Sequence, residues 1–376
     1  MQDIGVLVVD DSALMRNLIS RIIENGPGMH VVGTAMNGSF ALEKIPTLKP
    51  DVIILDIEMP IMNGIQFLEE RKKQGLDIPV IILSSIAKEG AAVTMKCLEL
   101  GASDFITKPS GSVSNDIAKV ADRVIELVSS YGAQYLRKKG RHLPGAPTHT
   151  LIQRAEEVLA QKTPQKFSPV VLEEKGVTPL RAPGRIEVIA IGISTGGPNA
   201  LREVFAHLSA AITQPILVVQ HMPVGFTAEF ANSLNAICPL EVKEAQDGDL
   251  LKKGRVLIAP GNQHMVIERK ALASVVRLTE DETRNGHRPS VDVLFESVAK
   301  EYQNRSLGVI MTGMGRDGAA ELAEMRRQGA HTLGQDEESS VVYGMPRVAF
   351  ELGAVQKQVS LDQMANEINK LALENQ

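Results

Sequence analysis

The chain of 376 residues has only two cysteines, Cys97 and Cys238, far apart and without histidines at metal-ligand spacing. A disulfide framework and a structural zinc site are therefore excluded. Cys238 also has no neighbour in the sequence that would activate it as a nucleophile. Long apolar runs are missing: none reaches the roughly 20 residues that a bilayer requires, so no membrane insertion is expected. The first residues show no basic region followed by an apolar stretch and a cleavage site, which leads to the expectation of a cytoplasmic protein. An excess of positive charge is absent too. With 40 Lys and Arg against 45 Asp and Glu, the net charge is −5, and nucleic acid is not expected as a partner. Neither a helix-turn-helix pattern nor a basic face is visible, which speaks against a DNA-binding output.

What is present is an ordinary globular composition, 44% hydrophobic and 23% charged. The length allows two or three domains with their own cores. One stretch organises the carboxyl-terminal half: Val188-Ile189-Ala190-Ile191-Gly192-Ile193-Ser194-Thr195-Gly196-Gly197-Pro198. A continuous apolar run followed by small turn residues and a helical pattern predicts a buried strand feeding a helix. Ser194 then stands at a strand end and near a helix start. Gly192 to Gly196 fits the G-x-S-x-G pattern of a nucleophile elbow. The same glycines suit a phosphate-binding turn equally well.

The following strand separates the two. Pro215 to Gln220 ends in His221, where a dinucleotide site would place an acid. A third apolar run, Leu307 to Thr312, leads into Gly313-Met314-Gly315-Arg316-Asp317-Gly318. Asp317 could be an ordinary helix N-cap. Three parallel strands nonetheless bring Ser194, His221 and Asp317 to one sheet edge, where such sheets bind ligands. Together they could act as nucleophile, general base and orienting carboxylate, although the chain order differs from that of the α/β-hydrolases. Met265 to Glu268 and Val275 to Thr279 alternate as an antiparallel hairpin would. His264 falls in a loop, where it either lines the cleft or supports it. Leu361 to Leu373 has helical periodicity.

The amino-terminal part alternates strand and helix five times, with strands at Ile4 to Val9, His30 to Ala35, Val52 to Leu55, Val80 to Leu83 and Asp104 to Thr107. That is the pattern of a doubly wound parallel sheet. Asp10 and Asp11 follow the first strand and Asp56 the third, while Ser84 and Lys108 end the fourth and fifth. Carboxylates crowded at one edge repel one another unless a cation sits among them, and Mg²⁺ answers that need. From about residue 132 to 183 periodicity fades and Pro, Gly, Lys and Arg become frequent, as expected of a connector. Within it, residues 151–160 could form a short helix and residues 170–172 could dock. The basic cluster Arg137-Lys138-Lys139-Gly140-Arg141 is expected to be solvated.

Two resemblances follow from these motifs. Val8-Val9-Asp10-Asp11-Ser12, Leu55-Asp56-Ile57-Glu58-Met59-Pro60, Leu83-Ser84-Ser85 and Thr107-Lys108-Pro109 resemble the receiver domain of two-component response regulators. By that resemblance Asp56 takes a phosphoryl group from a histidine kinase. Asp10, Asp11, Asp56 and the main-chain carbonyl of Glu58 help to hold Mg²⁺, Lys108 meets the phosphoryl oxygens, and Ser84 with Phe105 forms a switch. Gly192 to Gly197, Gln220 to Thr227, Ala259 to Met265, Arg288 to Asp292 and Thr312 to Ala319 resemble the catalytic domain of the chemotaxis protein-glutamate methylesterases, the CheB family. This implies hydrolysis of γ-glutamyl methyl esters on methyl-accepting chemoreceptors, with deamidation of glutamines as a companion activity. No cofactor is implied for the esterase. The main-chain N–H of Met314 would serve the oxyanion hole, with Thr195 beside the nucleophile.

The expected architecture is α/β: a flavodoxin-like receiver at residues 1–130, a linker at 131–183, and at 184–376 a second doubly wound domain with an antiparallel hairpin. The competing expectation is a receiver joined to a noncatalytic module that binds an anion or nucleotide.

Overall fold

A computed structural model of the chain describes residues 3–84, 88–108, 114–141 and 177–375. The chain folds as two units, Met1–Ser168 and Pro169–Gln376. In the first, β1 (Ile4–Val9), β2 (Met29–Ala35), β3 (Val52–Asp56), β4 (Val80–Ser84) and β5 (Asp104–Thr107) alternate with α1 (Ala13–Glu24), α2 (Gly38–Leu48), α3 (Gly64–Lys73), α4 (Lys88–Glu99) and α5 (Ser114–Lys138). The strands pair in parallel in the order β2-β1-β3-β4-β5. Apolar runs of Val, Ile and Leu, interrupted in β1 only by Gly5, make β1, β3 and β4 buried on both faces, as strands covered by helices on either side must be. The order reverses between β1 and β3, which opens a crevice at their carboxyl ends. Ser12, Asn37 and Asn63 start the first three helices by accepting an N–H from the third residue onward, so each loop at that edge ends in a fixed cap.

The boundary expected at residue 130 is displaced, because α5 continues to Lys138. Gly132 had the look of a connector residue. A Cβ there would lie 2.6 Å from Ile4 Cγ2, so the glycine lets the helix lie against β1. The basic cluster is exposed at Lys138, Lys139 and Gly140, as expected, but it closes α5 and is not a connector. Lys139 pairs with Asp77 at 3.1 Å and Arg141 with the buried Asp51 at 2.7 Å. Residues 151–160 and 170–172, with Ser85 and Pro109, lie outside the described residues.

The second unit is built on seven parallel strands: β6 (Val188–Ile193), β7 (Ile216–Gln220), β8 (Glu241–Glu244), β9 (Arg255–Ile258), β12 (Ser306–Ile310), β13 (His331–Gln335) and β14 (Lys357–Val359). Their order is β14-β13-β12-β6-β7-β9-β8. The chain leaves β6 on one side and returns to its other side at β12, so the order switches between β6 and β12. The expected hairpin forms from β10 (His264–Arg269) and β11 (Ser274–Thr279) as a separate two-stranded antiparallel sheet. The helices are α6 (Gly197–Ala206), α7 (Thr227–Asn235), α8 (Val291–Tyr302), α9 (Ala319–Arg327), α10 (Met345–Glu351) and α11 (Leu361–Glu374). Residues 180 and 184, placed by the sequence at the linker's end or just past it, are already held here. Leu180 N–H donates to Arg327 at 2.8 Å and Gly184 N–H to Asn304 at 3.0 Å. The short, half-polar edge strands β8 and β14 carry too little apolar pattern to be visible in the sequence.

Candidate active site

Ser194 follows β6, His221 follows β7 and Asp317 precedes α9. Ser194 Oγ lies 3.1 Å from His221 Nδ1, and His221 Nε2 lies 2.8 Å from Asp317 Oδ2. With Nε2–H donated to the carboxylate, Nδ1 keeps its lone pair toward the serine hydroxyl. The three side chains are nearly enclosed: Ser194 is 7% exposed, the His221 side chain 9% and Asp317 1%. Low dielectric strengthens each of these hydrogen bonds.

The backbone fixes this geometry. Ser194 N–H donates to Thr312 at 2.9 Å and its carbonyl accepts from Gly197 at 2.7 Å. The Gln220 side-chain amide donates to the carbonyls of both Ser194 and His221, at 3.0 and 3.2 Å, tying together the strand ends that carry nucleophile and imidazole. Gly192 has Val291 so close that a Cβ would lie 2.1 Å from its Cγ1, which lets the start of α8 approach β6. A Cβ on Gly313 would fall 2.8 Å from the Cβ of Ser194, so Met314, the next residue, follows directly beside the nucleophile. Thr195 is fully buried, and its carbonyl accepts from the Thr312 hydroxyl at 2.9 Å.

Asp317 accepts five hydrogen bonds: from His221, the Ser290 hydroxyl, the Asn285 amide and the N–H groups of Val291 and Asp292. Burial alone would raise its pKa. The His221 bond and charge, with Asn285 and Ser290, overcome this and hold the carboxyl well below the usual range. His264 is a support and not part of the cleft wall. It is buried, with Nδ1 accepting from Ser290 N–H at 3.2 Å and Nε2 donating to Glu282 at 3.1 Å. Cys238 is half-buried, and burial pushes its thiol up, which leaves it protonated and unreactive.

Several participants were given no role from the sequence, although Ser290 and Asp292 lie in the Arg288 to Asp292 stretch that carries the resemblance. Asn285, Ser290 and Asp292 surround Asp317, and His287 stacks on the His221 ring with centroids 3.8 Å apart and planes 9° apart. The available signal was the dipeptide Asn285-Gly286, a strong marker of a tight hairpin turn.

In the first unit, Asp10, Asp11 and Asp56 present oxygens all within 4.8 Å of one another. Lys108 Nζ lies 2.7 Å from Asp56 and 3.3 Å from Asp10. Burial holds Asp56 above the ordinary carboxylate value, against the opposing pull of Lys108. Burial would lower Lys108, but Asp56 and Asp10 outweigh it and leave the amine raised. One ammonium does not balance three carboxylates, and the buried Asp10 Oδ2 has only the Lys108 ammonium, shared with Asp56, at 3.3 Å. Two hard oxygen donors plus an exposed third are the set that Mg²⁺ prefers. Ser84 ends β4 with its hydroxyl against Thr94 and the Gly90 carbonyl of α4. Phe105 is buried in β5, beside Ile82 of β4, and Glu58 is exposed in the loop after β3.

Among the described residues no helix is long and apolar enough to cross a membrane. The family description "CheB methylesterase" matches residues 189–368, and "Response regulator receiver domain" matches residues 6–118. A protein-glutamate methylesterase/protein-glutamine glutaminase of Treponema denticola is 57% identical, over 100% of both chains. The protein of the same name from Treponema pallidum is 54% identical, over 98% of this chain and 97% of that one. The crystal structure of the Thermotoga maritima CheB methylesterase catalytic domain is 35% identical, covering 50% of this chain and 98% of that one, with a TM-score of 0.48. With a receiver sheet, a second doubly wound sheet that unites a serine, a histidine and an aspartate, and relatives matched from end to end, this chain belongs to the CheB family of receiver-linked methylesterases.

Proposed function

We propose that the chain is a phosphorylation-controlled serine hydrolase that removes methyl groups from glutamyl γ-methyl esters of chemoreceptors and deamidates glutaminyl side chains by the same route. The observation that carries this is the unbroken chain from Ser194 Oγ through both His221 nitrogens to Asp317. Ser194 Oγ forms a bond to the ester carbon while its proton passes to His221 Nδ1. Asp317 stabilises the resulting imidazolium through Nε2–H. As the tetrahedral intermediate collapses, the C–O bond to methoxide breaks and His221 returns the proton, so methanol leaves. Water then attacks the acyl carbon, His221 accepts its proton and delivers it to Ser194 Oγ, and glutamate is released. With glutamine, ammonia takes the place of methanol. The Met314 N–H, with Thr195 at the start of α6, would stabilise the oxyanion.

In the receiver, Asp56 would accept a phosphoryl group from a histidine kinase. Asp10, Asp11, Asp56 and the Glu58 carbonyl would hold Mg²⁺, which supplies positive charge against the transferring phosphoryl oxygens. Lys108 would pair with those oxygens once they are attached, and the Ser84 hydroxyl would leave its partners on α4 for the new acceptor, with Phe105 following.

A noncatalytic anion-binding turn has no need of a histidine and a buried carboxylate in line behind the hydroxyl. Methanol release from methylated receptor membranes tests the assignment. Ser194→Ala is expected to lower kcat by about 10⁶-fold and to stop labelling by a fluorophosphonate. Activity close to that of the unchanged protein, or nucleotide binding without labelling, would overturn it.

A further inference from the structure

The loop between β11 and α8 contains a tight turn. Arg284 and His287 exchange both backbone hydrogen bonds, N–H to carbonyl at 3.1 and 3.0 Å. The two residues between them, Asn285 and Gly286, have φ of +54° and +79°. Asn and Gly are the residues that adopt this left-handed pair most readily. A turn of this type needs nothing from the Asn side chain, yet that side chain is used. Its Nδ2 lies 2.9 Å from Asp317 Oδ1 and 2.6 Å from Asp292 Oδ2. Ionised carboxylates only accept, so the group between them must be the amide NH₂, with one hydrogen for each.

The two aspartates are linked in a second way. Asp317, just before α9, accepts the N–H groups of Val291 and Asp292 at the start of α8. Asp292, in the first turn of α8, accepts through Oδ1 the N–H groups of Gly318 and Glu321 at the start of α9. Each helix start is thus held by an acid belonging to the other, which suits the positive end of a helix dipole. The cost is two carboxylates buried side by side. Burial and the neighbouring Asp317 raise Asp292 above its ordinary value.

We propose that Asn285 is a positioning residue of the hydrolase: by giving one amide hydrogen to Asp317 and the other to Asp292, it holds the Asp317 carboxylate in register with His221. The same turn brings His287 over the His221 ring, and Arg284 anchors it to Glu296 on α8 and Glu321 on α9. Asn285 can play this part only if Ser194, His221 and Asp317 act together as proposed above.

Two substitutions separate the side chain from the backbone. Asn285→Gly retains and even favours the left-handed turn but deletes the amide. The expectation is a fall of about 10- to 100-fold in kcat with KM and thermal midpoint nearly unchanged. A residue that only shapes the turn would leave kcat intact. Asn285→Asp also tolerates the turn but puts a third carboxyl among Asp292, Asp317 and Glu321, with His221, His287 and Arg284 as the facing cations or potential cations. That carboxyl can donate only while protonated. Its activity relative to the unchanged protein should therefore decline as pH rises from about 5 to about 8. Full kcat in Asn285→Gly, or a ratio for Asn285→Asp that stays constant with pH, would overturn the proposal. The underlying triad fails differently: Ser194→Ala would then still release methanol. If only the role of Asn285 is wrong, Ser194→Ala is inactive and Asn285→Gly is not.

Discussion

At the carboxyl edge of the first sheet, three carboxylates face one ammonium, which Asp10 and Asp56 share. At the corresponding edge of the second sheet, the Asp317 carboxylate receives five hydrogen bonds, and one of its donors, the His221 ring, meets a serine through its other nitrogen. Both sites lie where the strand order reverses, between β1 and β3 and between β6 and β12. The topology supplies the crevice in each case, and the satisfaction of buried charge decides what it can do. Unbalanced charge makes the receiver edge a place that gains from a cation and a phosphoryl group. A carboxylate whose oxygens are met by fixed donors makes the second edge a place where a proton can move between set partners without rearrangement.

The largest expected effect comes from breaking that arrangement. Asp317→Asn keeps the size of the side chain but loses the charge that stabilises the imidazolium and favours the wrong tautomer. A drop of about 10⁴-fold in kcat is expected, measured as methanol release, with phosphoryl uptake at Asp56 unaffected. A loss below tenfold would show that the five donors serve only to join α8 and α9. The reverse change is smaller. Asp56→Asn should abolish the response to a small phosphodonor, a stimulation of roughly tenfold, while basal esterase activity persists. A mutant that still responds would mean that phosphorylation acts elsewhere.

The smallest effect concerns stability. Burial raises the pKa of Asp56 in the folded receiver, so the folded state binds its proton more tightly than the unfolded chain does. Stability is then lost as pH rises from the ordinary aspartate value through the raised one. Asp56→Asn should raise the receiver's melting temperature by about 2–4 °C at neutral pH. The gain should shrink below about pH 4, where Asp56 is neutral in both states, and also when Mg²⁺ is added. A lowered melting temperature in calorimetry would show that the Asp56–Lys108 pair outweighs the cost of burying the charge.

Both sheets could be read from the amino acids because their central strands are apolar runs of Val, Ile, Leu, Ala and Gly that lead into polar or small residues. β1 and β5 begin and end where the pattern places them. The edge strands β8 and β14 could not, since four and three half-polar residues carry no such period. Gly132 and the basic residues after it had the composition of a connector. They belong instead to a helix end whose partners, Ile4, Asp51 and Asp77, are at least 62 positions away in the chain. Local composition cannot register such distant partners.

The site divides in the same way. Asp56 is the last residue of its strand, and Ser194, His221, Asp317, Asp10 and Lys108 each sit directly after a strand or in the loop that leaves it. A residue's place relative to its own strand is a local property, and the sequence by itself determined those positions and the residue types available for chemistry. Which nitrogen of His221 meets the serine, that Asp292 and Asp317 exchange helix starts, and that Asn285 stands between them were decided only by tertiary structure. Those relations depend on how closely α8 and α9 approach β6 and on a turn that folds back over Asp317. Such approach distances are set by the packing of the whole sheet and leave no periodic trace in the chain.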